Sequence, residues 1–129
     1  MLALNNISYK TIGAIYNVYN GLGPGLLENI YEVALIYELK KSGLNVKSQV
    51  AIPVLYDNHE LPVDYRIDLL VENTIIIELK SVKELLDIHH KQLLTYLRIA
   101  NKPLGLLVNF NTSDIKSAIH RKIIDIKKQ

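Results

Sequence analysis

An α+β fold with the element order α-α-β-β-β-α-β is predicted by three features of the sequence. Two helical stripes precede Gly43, a β-branched stretch from Val46 to Lys80 is cut twice by turn clusters, and one further helical stripe leads into a short apolar run at 103–110. The first stripe, Ile7, Ile12, Ala14, Ile15, Val18 and Tyr19, predicts a helix that stops at Gly21-Leu-Gly-Pro-Gly25. Pro24 is placed to open a second helix, in which Leu27, Ile30, Tyr31, Ala34, Leu35 and Leu39 recur at helical spacing until Lys40, Lys41 and Gly43 end it. Val46 to Tyr56 and Leu61 to Val71 form a hairpin around Asp57-Asn58-His59. In its second strand Val63, Tyr65, Ile67, Leu69 and Val71 are expected on a core face, with Asp64, Arg66 and Asp68 opposite, because strand side chains alternate. Glu72-Asn73 makes the next turn, so Thr74 to Lys80 pairs antiparallel with its predecessor.

Ser81 and Glu84 have capping-box spacing ahead of Val82, Leu85, Leu86, His89, Leu93, Tyr96, Leu97 and Ala100, which predicts a third helix from that point. Pro103 to Phe110 reads as a buried strand, and Ile115 to Ile126 stays open between helix and edge strand. No internal repeat or low-complexity stretch is present.

The 129 residues suit one domain, 1–129, and 49% apolar with 22% charged residues describes a chain that buries a core. With no cysteine, disulfide frameworks, thiol catalysis and cysteine zinc sites are excluded, so any metal takes oxygen or imidazole ligands. The N-terminus lacks a secretion-signal pattern, and no apolar run approaches the roughly 20 residues of a membrane span. A cytoplasmic protein without membrane contact is the expectation. Net charge is only +2, too balanced for a nucleic-acid coat protein, but it is unevenly spread. Lys102, Lys116, Arg121, Lys122, Lys127 and Lys128 face only Asp114 and Asp125, so a short basic C-terminal tail at about 116–129 follows a mildly acidic body. Such a tail serves either to track phosphates or simply as a solvated end.

Glu78-Leu79-Lys80 sets a carboxylate and an ammonium on one strand face at the end of an apolar run, and Asp68 lies ten residues earlier across a tight turn. If that turn centres on Glu72-Asn73, Asp68, Glu78 and Lys80 converge on one edge of the sheet. The set suits Mg²⁺, which prefers oxygen ligands and is usually held by one or two carboxylates plus substrate phosphate. The ion lowers the pKa of a bound water, and a lysine beside it orients that water or helps to deprotonate it. The competing explanation is an exposed Lys80–Asp68 salt bridge, which would contribute only ~0–1 kcal/mol. Glu28 is favourable in the first turn of its helix through the dipole alone, yet Glu32 at i+4 makes a like-charge pair, as if the two looked toward something positive. Gln92 and Tyr96 lie one turn apart at the margin of the third helix's stripe, with His89 one turn before, and are either a capped core edge or substrate contacts. His59, His90 and His120 are expected at the surface, since the histidine spacing fits no zinc pattern, and only His89 is near enough in sequence to Gln92 to touch a site. Tyr31 and Tyr96 are candidates to stack on bases.

Gly25-Leu-Leu-Glu28-Asn-Ile-Tyr31 resembles the motif that names the GxxExxY proteins. Asp68, Glu78-x-Lys80 and Gln92-x-x-x-Tyr96 resemble successive elements of the PD-(D/E)XK nuclease superfamily, and together the matches span roughly residues 8–125. The resemblance implies a restriction-endonuclease-like core of α-β-β-β-α-β order, with a mixed central sheet flanked by helices. It also implies a nuclease using Mg²⁺, or Mn²⁺ as a substitute, in which Asp68, Glu78 and the Leu79 carbonyl hold the ion. Lys80 would serve the attacking water, Glu28 would bind a second ion or a water, and Tyr31, Gln92 and Tyr96 would contact substrate or steady the site. The partner implied is nucleic acid, DNA rather than RNA, with a homodimer as a further option. One departure is that Val63-Asp64 precedes Tyr65-Arg66-Ile67-Asp68, so no Pro-Asp dipeptide marks the metal aspartate, and Asp64 is a weaker ligand candidate. The alternatives are a catalytically silent nuclease fold that binds nucleic acid or a protein, and a purely structural homo-oligomer.

Overall fold

The computed structural model describes residues 3–127; Lys128, counted above with the basic segment, lies outside the described residues. Helices α1 (Leu4–Leu22) and α2 (Glu28–Lys41) are followed by strands β1 (Val46–Tyr56), β2 (His59–Val71) and β3 (Ile75–Lys80). Helix α3 (Asp87–Ala100), strand β4 (Leu104–Asn109), a 3₁₀ turn (Lys116–Ala118) and strand β5 (Ile119–Ile123) complete the chain. The five strands form one sheet in sequential order, β1 to β5. Only the β3–β4 pair is parallel, because α3 carries the chain back across the sheet between them, whereas two tight turns and the 110–118 loop join antiparallel neighbours. The sheet is therefore mixed and covered by helices on both faces, a restriction-endonuclease-like arrangement.

Alternation along β3 assigns the faces. Ile75, Ile77 and Leu79 pack with Ile15, Val18, Leu35 and Leu39 of α1 and α2, while Ile76 packs with Leu93 and Leu97 of α3. Glu78 and Lys80 consequently share the α3 side. Every residue of β4 is buried, as its uninterrupted apolar run requires of a strand covered on both faces. Close packing of α3 on that strand depends on Gly105, whose missing side chain leaves room for Leu93: a Cβ there would lie 2.7 Å from its Cδ1.

Four local expectations are corrected. Helix α2 opens at Glu28, not Pro24, because Gly23 and Gly25 take positive φ (69° and 96°) and hold the 23–27 segment as a turn. Helix α3 starts at Asp87, six residues after Ser81. Ser81 does not cap it, since its hydroxyl donates instead to the Leu26 carbonyl, and the Leu86 N–H is taken by Nδ1 of His89. In β2 the strict alternation fails: Val63 (61% exposed) and Tyr65 (37%) are solvated, and Ile67 packs with the α3-side cluster while Leu69 and Val71 pack on the other. The physical cause is length, as β3 pairs only with Leu69–Val71, leaving the rest of the β1–β2 hairpin to project as a two-stranded arm. Finally, the basic stretch after residue 116 is not a loose tail through its whole length, since Ile119–Ile123 pairs with β4 as the edge strand.

Candidate active site

The site forms where β2 and β3 part. Ladder pairing ends at Leu69 and Ile77, so Asp68 and Glu78 stand opposite one another at the first step beyond it. There the two carboxylates replace the main-chain acceptors. The Asp68 N–H donates to Glu78 Oε1 at 3.2 Å, and the Leu79 N–H donates to Asp68 Oδ2 at 2.8 Å. Each acid thus satisfies a backbone donor with one oxygen and retains its other oxygen. Asp68, expected to align with Glu78 across the Glu72-Asn73 turn, does so.

Glu78 is 8% exposed. Burial first, and then the adjacent Asp68 carboxylate, push it up to about 9, with Lys80 and the Asp68 N–H opposing. Two carboxylates this close in a dry place do not both ionise unaided, so Glu78 holds its proton at neutral pH unless a cation compensates the pair. The donors are oxygens, which suits a hard divalent ion. Lys80 ends the same strand on the same face. The only ion pair among the described residues joins Lys91 to Asp87, so a Lys80–Asp68 salt bridge does not account for the lysine. Its carrier segment is clamped. The Phe110 N–H donates to the Lys80 carbonyl, and the buried Asn109 side chain, in register with Lys80, bonds both the N–H and the carbonyl of Val82.

Helix α2 enters from the other side. The Ser81 hydroxyl on the Leu26 carbonyl fixes the α2 N-terminus against the end of β3, which brings Glu28 to this end of the sheet. Glu28 does not complete a triad, however: among the described residues no three acidic or histidine side chains are grouped to hold a metal. One turn on, Glu32 accepts from Gln49 Nε2 at 2.7 Å, and its carboxyl is raised by burial, opposed by that hydrogen bond and reinforced by the Asp68 and Glu28 charges. Gln49 was not among the candidates drawn from the sequence, and Glu32 figured there only as the like-charge partner of Glu28. The like-charge pair Glu28/Glu32 was the available signal; the positive φ of Gln49 (51°), which places its amide there, has none.

Tyr31 is 0% exposed and stacks on Phe110, with ring centroids 4.4 Å apart, so it cannot stack on a base. Its hydroxyl donates to the Gly23 carbonyl at 2.6 Å and accepts from the Leu26 N–H at 3.1 Å, bracing the turn that aims Glu28. On α3, Gln92 is exposed and Tyr96 half-buried. Burial, followed by the Glu78 carboxylate, the neighbouring Tyr65 and Asp68, raises Tyr96, and its ring stands 5.2 Å from that of Tyr65. His89 is occupied in capping α3. His90 and His120 are only partly exposed: their rings meet edge to face at 4.9 Å, and burial together with Lys122 lowers both. His59 is exposed, as expected, but it opens β2 instead of belonging to the turn. Asp64 also is exposed on the arm, paired with Pro53 across β1, away from the β2–β3 junction.

No helix among the described residues is long and apolar enough to cross a membrane. No curated protein matches the chain. Among solved structures it is similar to SSO0001, with 26% identity and a TM-score of 0.50 over 78% of this chain and 50% of that one, so it spans about half that protein's length. A model of the PD-(D/E)XK nuclease superfamily, whose nucleases generally use divalent metals, matches residues 5–122. With the family model covering nearly the whole chain, and Asp68 and Glu78-x-Lys80 meeting at the parting of β2 and β3, this protein belongs to the PD-(D/E)XK nuclease superfamily.

Proposed function

We propose that this protein is a metal-dependent nuclease of the GxxExxY type that hydrolyses phosphodiester bonds of nucleic acid, DNA in preference to RNA, with a metal-activated water. The observation that carries the reading is the Asp68–Glu78 pair, two carboxylates held together at a strand parting with Lys80 beside them. Asp68, Glu78 and the Leu79 carbonyl would hold Mg²⁺, or Mn²⁺ in its place. When bound, the ion acts as a Lewis acid that lowers the pKa of a water and offsets phosphate charge. Lys80 has three donors and no acceptor, so it orients the water or a phosphate oxygen. Glu28, in the first turn of α2, would bind a second ion or a water, with Glu32 adding negative charge one turn on. Gln92 and Tyr96 border the substrate side. The GxxExxY assignment has a physical basis in the chain itself: Gly25 supplies a positive φ, and Tyr31 ties the turn that delivers Glu28.

The test uses Asp68→Asn and Lys80→Ala, singly and together, with Asn chosen because it still accepts from the Leu79 N–H. Metal-dependent cleavage of single- and double-stranded oligonucleotides is expected to vanish in each variant while circular dichroism and melting stay native. Cleavage persisting in the purified double variant overturns the assignment. A second reading, a silent fold that binds nucleic acid, draws on the absence of a three-ligand cluster among the described residues. Calorimetric titration with Mg²⁺ separates the two. Heat that disappears in Glu78→Gln supports the enzyme, whereas metal-independent, salt-sensitive DNA binding lost on neutralising Arg121 and Lys122 supports the module.

A further inference from the structure

The projecting arm brings a second tyrosine, Tyr65, against Tyr96. On its α3 side, Val50 pairs with Ile67 and Ile52 with Tyr65, so these residues share a face with Val63. Near the sheet this face is covered: Ile52 and Ile67 pack with Leu93 and Leu97. Further out the cover ends, and Tyr65 and Val63 emerge into solvent three and five residues before Asp68. Across the gap Tyr96 rises from α3, and the two rings stand 5.2 Å apart at 56° to one another. Each ring therefore limits the rotation of the other without stacking flat on it and covering it. The contrast with the structural tyrosines is informative. Tyr19 and Tyr31 anchor their hydroxyls to backbone carbonyls, whereas among the described residues neither Tyr65 nor Tyr96 bonds its hydroxyl within the chain. Tyr65 stands on β2 only three residues before Asp68, so the ring pair lies at the flank of the carboxylates.

We propose that Tyr65 and Tyr96 form a stacking platform for an unpaired base next to the Asp68–Glu78 pair, so that the substrate is a single strand. This inference rests on the nucleic-acid reading above. A ring at the flank of the site can lie against the face of a base only where that face is free, and in a duplex both faces are covered by neighbouring base pairs. Stacking requires no particular base, because every base has a π-face, so the platform confers preference for strandedness rather than for sequence. Val63, exposed beyond Tyr65 on the same strand face, extends the apolar track outward from the carboxylates.

The experiment measures fluorescence anisotropy of a short labelled oligodeoxynucleotide, the same sequence as RNA, and the DNA duplex, all in EDTA so that no cleavage intervenes. Tyr65→Leu keeps apolar volume without a π-face, and Tyr65→Phe keeps the π-face. Single-strand affinity is expected to fall about ten- to a hundredfold in Tyr65→Leu and to stay near wild type in Tyr65→Phe, with duplex binding unchanged in both. The DNA and RNA arms show which single strand is preferred. Wild-type affinity in Tyr65→Leu, equal losses in both variants, or equal losses on single strand and duplex would overturn the platform. Thermal melts of both variants establish that they fold. Its failure is distinct from that of the hydrolytic reading: single-strand binding through Tyr65 without Mg²⁺-dependent cleavage refutes only hydrolysis, and Tyr65-independent cleavage refutes only the platform.

Discussion

Replacing Glu78 by glutamine is expected to stabilise the metal-free protein, progressively more as the pH rises. Burial and the adjacent Asp68 carboxylate raise Glu78 from 4.5 to about 9. Because the folded value exceeds the unfolded one, the stability associated with a neutral Glu78 is complete below about pH 4.5 and is lost as pH climbs toward 9. At 1.36 kcal/mol per pH unit, the loss at pH 7 is on the order of 3 kcal/mol, a sizeable part of the ~5–15 kcal/mol that holds a domain together. Glutamine imitates the protonated acid. Its Oε1 still accepts from the Asp68 N–H, and its amide can donate to the Asp68 carboxylate without ever ionising. Urea unfolding of both proteins from pH 5 to pH 8 in EDTA supplies the assay. Taking the difference between variant and wild type removes His90 and His120, whose lowered values make stability rise with pH and so act in the opposite sense. The advantage of the variant should be about 1 kcal/mol at pH 5 and about 4 kcal/mol at pH 7.5. Added Mg²⁺ should then favour wild type, since only the carboxylate gains from it. A pH-independent difference, or one that shrinks with rising pH, refutes the account of Glu78 as an uncompensated buried acid.

Two further outcomes test the framework around the site. Tyr31→Phe keeps the ring stacked on Phe110 but leaves the Gly23 carbonyl and Leu26 N–H without their partner, so it should cost about 1–3 kcal/mol in chemical denaturation and lower cleavage through a loosened Glu28. Unchanged stability would show that the hydroxyl does not brace the turn. Gly105→Ala drives a Cβ to 2.7 Å from Leu93 Cδ1, and the resulting overpacking between α3 and β4 should cost about 1–3 kcal/mol, read as a lowered melting temperature. Relief of that loss by Leu93→Val in the double variant would locate the strain in this contact, and additive losses would rule it out.

Element type and order were legible because they depend on short-range pattern. The stripe of Ile15, Val18, Leu35 and Leu39, the β-branched run of Ile75–Ile77 and the apolar run of β4 each match a periodicity that the fold then buries. Turn chemistry also located the hairpins, since Asp57-Asn58 and Glu72-Asn73 all take positive φ. What remained hidden was set by tertiary competition. Ser81 had the spacing of a cap, but the Leu26 carbonyl, distant in sequence, captures its hydroxyl. Tyr65 fitted a core stripe, but β3 is too short to bring cover to that part of β2. His90 and His120 meet because His120, in register with Leu107, shares the sheet face that α3 covers, a relation no local window contains. Within the site, the Asp68–Glu78 juxtaposition followed from a turn and a register, whereas the Glu32–Gln49 contact required α2 to cross β1, which the sequence pattern does not specify.

The position of the acids at a parting of strands also constrains how mutational data on them must be interpreted. Antiparallel neighbours that diverge leave backbone N–H groups without carbonyl partners, and an unpaired donor in a buried place costs about 1–3 kcal/mol. Here the Asp68 and Leu79 N–H groups find Glu78 and Asp68 side chains instead, so the same carboxylates that attract a cation also close the sheet edge. Alanine at either position removes both roles together, and loss of activity then says nothing about which one mattered. Asparagine and glutamine keep an acceptor for the backbone and remove only the charge. If Asp68→Asn and Glu78→Gln fold at least as stably as wild type yet no longer bind metal, the charge belongs to the reaction; if instead they unfold, the negative charge itself is part of what holds β2 against β3, and a chemical role for the pair loses its main support.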